Sequence, residues 1–139
     1  MPEAPDKLSL VVYSGDFAKV HYALVMAAAS IAVGRPTTLF FTMEALRALA
    51  KAGRNGQPGW RALPGAATMD DSFVAKGVAG FEELLTSSAE LGARFMVCDM
   101  GLRALNLTRD DLRSDIAIET GGVVTFLADA SRHGAMLFI

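Results

Sequence analysis

The chain has 139 residues, of which 52% are apolar and 20% are charged, with a net charge of -2 and an isoelectric point near 5.6. This length matches the commonest size of a single domain, so residues 1–139 are predicted to form one domain. The chain has more apolar residues than one hydrophobic core needs, which favours self-association through the remaining apolar surface. The slightly acidic balance, without a dense run of Lys and Arg, argues against a nucleic-acid partner and favours small-molecule or protein partners.

The amino-terminal segment 1–7 is polar and lacks the basic and apolar regions of a signal peptide. The longest apolar stretch, 22–33, is interrupted by Ser30 and falls short of the roughly 20 residues that cross a bilayer. A single cysteine cannot form an intramolecular disulfide. We therefore expect a cytoplasmic protein without a membrane span.

In the first half of the chain, short β-branched runs alternate with Ala- and Leu-rich runs. Asp16 or Ser14 can cap the first helix, Gly34 ends it, and Thr42 can cap the second. The predicted elements are a strand at 8–13, a helix at 17–33, a strand at 37–41 and a helix at 43–51.

Segment 52–68 is rich in Gly and Pro and is predicted to be a long irregular loop. Loops of this length are usually functional or mobile. Trp60 and Arg61 would suit a lid over a binding site, and a flexible, disordered excursion is the alternative.

In the second half, apolar residues recur at helical spacing up to position 91, with Gly77 and Gly80 as possible breaks. Thr108 and Asp111 form a capping-box pattern. The further predicted elements are a strand at 94–97, a short helix at 100–105, a strand at 114–118, a helix at 123–132 and a final strand at 135–139.

Five strands separated by helices predict an α/β fold with a mainly parallel sheet, because parallel neighbours need crossover connections. Nearly continuous apolar strands predict helices on both faces, which gives a three-layer α/β/α sandwich of the Rossmann-like or flavodoxin-like type. The turns that follow the strands share one edge of such a sheet, where open α/β folds bind ligands. Residues in these turns are Ser14, Gly15, Thr42, Cys98, Asp99, Thr120, Gly121 and Gly122.

Cys98 is the only cysteine and stands at the carboxyl end of the third strand, just before a short helix. Helix amides and the cation of Arg103 would favour its thiolate. The carboxylate of Asp99 would oppose the thiolate unless that carboxylate caps the helix. An inert, buried cysteine is the competing interpretation.

Several chemistries are disfavoured by what the chain lacks. His21 lies inside the first helix, where a helix-face or interface role is expected, and His133 precedes the last strand, so neither is placed to activate Cys98 as a base. One cysteine and two distant histidines do not form a zinc site. Gly121 and Gly122 offer amides to an anion but lack a full nucleotide-binding fingerprint.

An acidic run near the fourth strand is the remaining candidate for metal binding. Arginines interrupt the run, which favours a solvated face and a helix cap over a metal site. No metal and no cofactor are therefore predicted. The run comprises Arg109, Asp110, Asp111, Arg113 and Asp115.

Three segments, in this order, resemble the DsrE/DsrF-like family: 14–16 (Ser-Gly-Asp), 39–42 (Leu-Phe-Phe-Thr) and 98–101 (Cys-Asp-Met-Gly). The Cys-x-Met pattern of Cys98 and Met100 resembles the branch once labelled peroxiredoxin-like, and the likeness continues through 105–107, 121–127 and 137–139. The resemblance implies a sulfur-relay protein, a sulfurtransferase in which Cys98 accepts sulfane sulfur as a persulfide. The cysteine would then pass the sulfur to an acceptor protein or small thiol within a homo-oligomer, a trimer or hexamer.

Pocket-lining roles follow for the neighbours of the cysteine, namely Ser14, Gly15, Thr42, Asp99, Met100, Gly101, Arg103, Gly121 and Gly122. An oligomeric assembly or small-ligand module with an unreactive Cys98 remains the alternative, because the Ala-rich first helix has few polar positions on any face. A nucleotide-binding α/β domain is a third hypothesis.

Overall fold

The computed structural model describes residues 3–139; the first two residues of the polar amino-terminal segment lie outside this range. Strands and helices alternate along the described chain. The strands are β1 (Leu8–Val12), β2 (Thr37–Phe41), β3 (Arg94–Cys98), β4 (Ile118–Gly121) and β5 (Ala135–Phe138). The α-helices are α1 (Phe17–Ala32), α2 (Ala66–Ala75), α3 (Phe81–Glu90), α4 (Asp99–Ala104) and α5 (Val123–Asp129). Three 3-10 helices span Met43–Leu49, Gly59–Ala62 and Arg109–Asp111.

The five strands form one sheet in the order β4-β3-β2-β1-β5, and every neighbouring pair is parallel. The predicted α/β class with a parallel sheet is confirmed. In the registered pairing, Val12 lies beside Phe41, Phe41 beside Val97, and Val97 beside Thr120. The carboxyl ends of β1 to β4 are therefore nearly level at one edge of the sheet.

The two faces of the sheet are covered unequally. Leu10, Leu39 and Phe95 belong to the main core on the first face, together with buried residues of α1 and α3. Phe40 and Met96 belong to a smaller cluster on the second face, which includes Phe126 of α5. Helices on both faces make the predicted three layers, but α5 is the only helix contributing to the second cluster among the described residues.

The predicted loop 52–68 contains more regular structure than its composition suggests. The 3-10 helix Gly59–Ala62 lies within it, and α2 already begins at Ala66. Trp60 is 2% exposed, its ring stacks on Phe81 at 4.9 Å, and its Nε1–H donates to Glu82 at 2.8 Å. The prediction of an irregular segment is therefore wrong for these parts, and Trp60 belongs to the core instead of forming a lid.

The fourth strand was predicted at 114–118 and instead begins at Ile118. The Arg113 guanidinium donates to both carboxylate oxygens of Asp115 at 2.7 Å. This pair holds residues 114–116, just before the strand, in a bend. As a result, Thr120 and Gly121 are strand residues rather than turn residues.

Three smaller points concern helix ends, of which the first is a difference from the prediction and the other two are confirmed. The helix predicted at 43–51 is a 3-10 helix that stops at Leu49, and the side chain of Thr42 makes no capping hydrogen bond. The break near Gly77 and Gly80 is real, because it separates α2 from α3. The capping box of Thr108 and Asp111 is confirmed, with the Asp111 carboxylate accepting the Thr108 backbone N–H at 2.7 Å.

Candidate functional site

Cys98 is the last residue of β3 and is a free, buried cysteine with 4% exposure. It pairs in register with Gly121 at the end of β4, and it occupies the residue position just before α4. The thiol is thus at the carboxyl edge of the parallel sheet, where the sequence places it.

The connections that leave β3 and β4 run to opposite faces of the sheet. Leu102 of α4 packs into the main core of the first face, whereas Phe126 of α5 packs against the second face. Open α/β sheets bind ligands where adjacent connections diverge in this way, outside the carboxyl ends of the two strands. Cys98 and Gly121 lie at this divergence, which we call the Cys98 crevice.

The cluster around Cys98 is apolar and belongs to the second face. It unites Cys98 with Phe40, Met96 and Phe126, and the rings of Phe40 and Phe126 stack with centroids 4.8 Å apart. Phe126 is fully buried in this cluster. This apolar enclosure, to which α5 contributes Phe126, keeps water and bulky reagents from the thiol.

Two charged residues follow Cys98 on α4. Asp99 is exposed, and its carboxylate accepts the backbone N–H of Met100 at 2.8 Å, so its charge is partly compensated within the first turn as expected. A Cβ on Gly122 would lie 3.9 Å from Asp99 Oδ1, which shows that Asp99 faces the start of α5. Arg103 is exposed on the last turn of α4, and Met100 is 54% exposed.

Gly101 lets α4 pack closely on the turn that follows β2. A Cβ at this position would lie 2.9 Å from the Met43 backbone nitrogen and 3.1 Å from Thr42 Oγ1. Thr42 itself is buried, and its N–H donates to the Val12 carbonyl at 3.0 Å. The absence of a side chain at Gly101 therefore brings the turns after β2 and β3 together.

Ser14 and Gly15 belong to a neighbouring cavity rather than to the immediate surroundings of the thiol. This cavity has a volume of about 680 Å³ and is also lined by Tyr13, Glu44 and Phe138. Cys98 is not among its lining residues. Since β1 and β3 are two strand spacings apart, about 10 Å separates their ends. The structure thus divides the predicted single crevice into two adjoining sites.

The helix above the thiol is held by a polar network that the sequence analysis missed. Asp129, at the end of α5, accepts hydrogen bonds from Lys7 Nζ and Thr38 Oγ1, each at 2.7 Å, and pairs with Arg94. Burial raises the pKa of Asp129, but these hydrogen bonds and the charges of Lys7 and Arg94 outweigh it and hold the pKa below its ordinary value. The residues of this network are far apart in the sequence, so no local sequence pattern could reveal it.

The histidines lie outside the crevice, as predicted. His21 is buried, with Nε2 2.9 Å from the Ala79 carbonyl oxygen and its ring 4.6 Å from Phe73. His21 is therefore a buried helix-face residue that packs internally, so the helix-face alternative fits and the interface alternative does not. His133 is exposed in the turn before β5.

Within residues 3–139, no group of three or more His, Cys, Asp and Glu side chains could hold a metal ion. Over the same range, every helix is too short or too polar to cross a membrane.

Comparison with known proteins extends over the whole chain. No family model matches. The chain is 27% identical to the uncharacterized protein YrkE of Bacillus subtilis in an alignment of 162 positions, gaps included, that covers 100% of both sequences.

Two solved structures have a similar architecture. The protein of unknown function MTH1491 from Methanobacterium thermoautotrophicum has a TM-score of 0.62 at 12% identity, covering 96% of this chain and 98% of that one. The ychN protein from E. coli has a TM-score of 0.57 at 13% identity, covering 96% and 99%. The chain therefore shares the α/β fold of MTH1491 and YchN.

Proposed function

We propose that this protein is a sulfur carrier of the DsrE/DsrF-like type, which accepts a sulfane sulfur on Cys98 and passes it to an acceptor thiol. One observation carries the proposal: the only cysteine of the chain lies at the carboxyl edge of a parallel sheet, where the connections after β3 and β4 diverge. The fold shared with YchN and the Cys-x-Met segment support it. The reducing cytoplasm would keep this thiol free.

The proposed chemistry consists of two thiol exchange steps. The Cys98 thiolate attacks the terminal sulfur of a donor persulfide, R–S–SH, so that the donor S–S bond breaks and R–S⁻ leaves. Cys98–S–SH then holds the terminal sulfur and its proton. An acceptor thiolate attacks that sulfur, forms a new persulfide and releases the Cys98 thiolate, so neither step needs an oxidant or a second cysteine in the chain.

The surroundings of Cys98 suit storage of such a group. The apolar cluster with Phe126 would shield a persulfide from water and from unrelated thiols. Asp99, Met100, Gly101, Gly121 and Gly122 would form the mouth of the crevice, with Arg103 as the nearest cation on α4. Because Cys98 is almost fully buried, transfer requires a movement of α5 that opens this mouth.

A homo-oligomer is the second part of the proposal. The outward side of α5 is apolar, with Val123, Val124 and Leu127 exposed, and Phe138 of β5 lies exposed on the same face of the sheet. A helix that is apolar on all sides is normally buried. We therefore propose that copies of the chain pack through this surface, and the family resemblance favours a trimer or hexamer.

The test is intact-mass spectrometry after incubation with glutathione persulfide. Wild type is expected to gain about 32 Da, the mass of one sulfur atom, and to lose it when free cysteine is added as acceptor. Cys98→Ser is the matched control and should gain nothing. Absence of the gain on wild type, or an equal gain on Cys98→Ser, would remove the sulfur-carrier proposal.

An oligomeric structural or small-ligand module with an unreactive thiol is the second candidate, and the 4% exposure of Cys98 favours it. Labelling of native protein with iodoacetamide at pH 7 separates the two. Labelling that proceeds only at the rate of global unfolding supports the module. Faster labelling supports the carrier, because it requires local opening above Cys98.

A further inference from the structure

A second cavity, on the first face of the molecule, gathers basic side chains. It has a volume of about 830 Å³ and is bounded by the 3-10 helices Met43–Leu49 and Gly59–Ala62 and by the turn between them. We call it the basic groove. Its cationic lining residues are Arg47, Lys51, Arg54 and Arg61.

This concentration of positive charge is unexpected in a chain with a net charge of -2 and 13 Lys and Arg residues in total. No acidic residue lines the groove. Neighbouring cations repel each other, so an anion bound between them would relieve that repulsion.

Acidic side chains outside the groove compensate these cations only in part. Arg47 pairs with Glu44 at 2.8 Å, and both side chains are about half exposed, so the pair contributes little. Arg61 approaches Asp71 only at 3.4 Å and lies over the Trp60 ring, 5.3 Å from its centre. Within residues 3–139, the side chains of Lys51 and Arg54 form no ion pair.

The walls of the groove are anchored to the rest of the fold. A Cβ on Gly59 would lie 2.7 Å from the Ala50 carbonyl oxygen, so glycine allows the two 3-10 helices to meet there. Ala50 also forms a β-bridge with Leu112, and the Lys51 N–H donates to the Asp111 carbonyl at 2.9 Å. A groove with fixed walls loses little conformational freedom when it binds a ligand.

The lining of the groove also contains apolar residues beside the cations. Ala50, Pro58, Ala62, Ala67 and Leu107 form apolar parts of the lining. The volume lies in the range of about 300–1,000 Å³ that is typical of small-molecule sites with a few placed polar groups. A long nucleic acid is a poor fit, because the rest of the chain is acidic.

We propose that the basic groove binds a small polyanion, a molecule with two or more phosphate or carboxylate groups attached to an apolar or aromatic body. Arg47, Lys51, Arg54 and Arg61 hold the anionic groups, and the apolar lining residues contact the body. This site is separate from the Cys98 crevice and does not depend on the sulfur-carrier function.

Calorimetric titration at 0.15 M salt tests the proposal, with inorganic pyrophosphate as the charge-only probe and ATP as the probe with an aromatic body. Both are expected to bind saturably, with the dissociation constant of ATP below about 1 mM. Fluorescence of Trp60, the only tryptophan, gives a second readout, because Arg61 contacts its ring.

The paired variant Lys51→Gln/Arg54→Gln should weaken ATP binding by about tenfold or more. The matched control, Lys76→Gln/Arg132→Gln, removes the same charge from exposed positions that do not line the groove. Absence of saturable binding, or equal weakening in both variants, would overturn the proposal. Tighter binding of a hexaglutamate peptide than of ATP would also overturn it, in favour of an acidic protein segment.

Discussion

Replacement of Asp129 by asparagine tests whether α5 is the element that opens above Cys98. The carboxylate of Asp129 is 12% exposed and accepts charge-assisted hydrogen bonds from the ammonium of Lys7 and from the hydroxyl of Thr38, while Arg94 adds a third partner. Asparagine keeps one acceptor oxygen for Thr38 but loses the charge that Lys7 and Arg94 need.

The size of the effect follows from these contacts. A hydrogen bond to a charged group contributes about 1.5–3 kcal/mol, so Asp129→Asn should weaken the attachment of α5 by about 2 kcal/mol. If α5 opens locally, the open population rises by about 30-fold. The rate of Cys98 alkylation in native protein should rise by the same factor, because alkylation samples only the open form.

Iodoacetamide labelling followed by mass spectrometry measures this rate, and urea unfolding measures global stability in the same samples. Asp110→Asn is the control, since it removes an equal charge from an exposed side chain that has no ion pair within residues 3–139. If Asp129→Asn lowers stability by about 2 kcal/mol but leaves the labelling rate unchanged, α5 is not the gate and the reasoning fails.

Three further predictions concern packing, charge and assembly. Gly101→Ala should lower the free energy of unfolding by about 1–3 kcal/mol in urea, because the new Cβ would lie 2.9 Å from the Met43 nitrogen; unchanged stability would mean that α4 shifts freely. The hydrogen bond from Arg113 holds the pKa of Glu82 below its ordinary value of 4.5, despite the opposing effect of burial. The Glu82–Arg113 pair therefore stabilises the fold fully above pH 4.5, and this stabilisation is lost as the pH falls through the lowered pKa. The difference in free energy of unfolding between wild type and Glu82→Gln should therefore be constant above about pH 5.5 and should shrink as the pH falls below that value. A difference that does not change with pH would contradict this prediction. Val124→Lys should reduce the mass measured by light scattering without changing the circular dichroism, whereas an unchanged oligomer would place the subunit contact elsewhere.

Local sequence patterns predicted the parts of the fold that depend on neighbouring residues. The alternation of β-branched and Ala-rich runs indicated the parallel sheet, and the turn after 94–97 placed Cys98 at its carboxyl edge. The predicted position of the fourth strand, 114–118, is too early in the sequence. Ile116 has the apolar character of a strand residue, but the ion pair between the side chains of Arg113 and Asp115 bends the chain at that point.

The contacts that define the candidate site are long-range, and composition does not reveal them. Trp60 lies in a Gly- and Pro-rich segment, yet it is buried because Phe81 and Glu82, about 20 residues later, supply a ring and a carboxylate. Likewise, Phe126 encloses Cys98 only because α5 returns over the second face of the sheet. The four cations of the basic groove lie within the single segment 47–61, but they are spaced too widely to form a dense run, and the two 3-10 helices bring them to one cavity.

The pairing of β5 with β1, and of Lys7 with an aspartate 122 positions later, has a consequence for the order of folding. During synthesis, β1, β2 and β3 can form most of the sheet before α5 and β5 leave the ribosome. Contacts between distant parts of a chain form late, because a long loop must close first. Because Phe126 of α5 helps to enclose Cys98, we expect the thiol to be less shielded from oxidants until α5 has docked than it is in the finished protein.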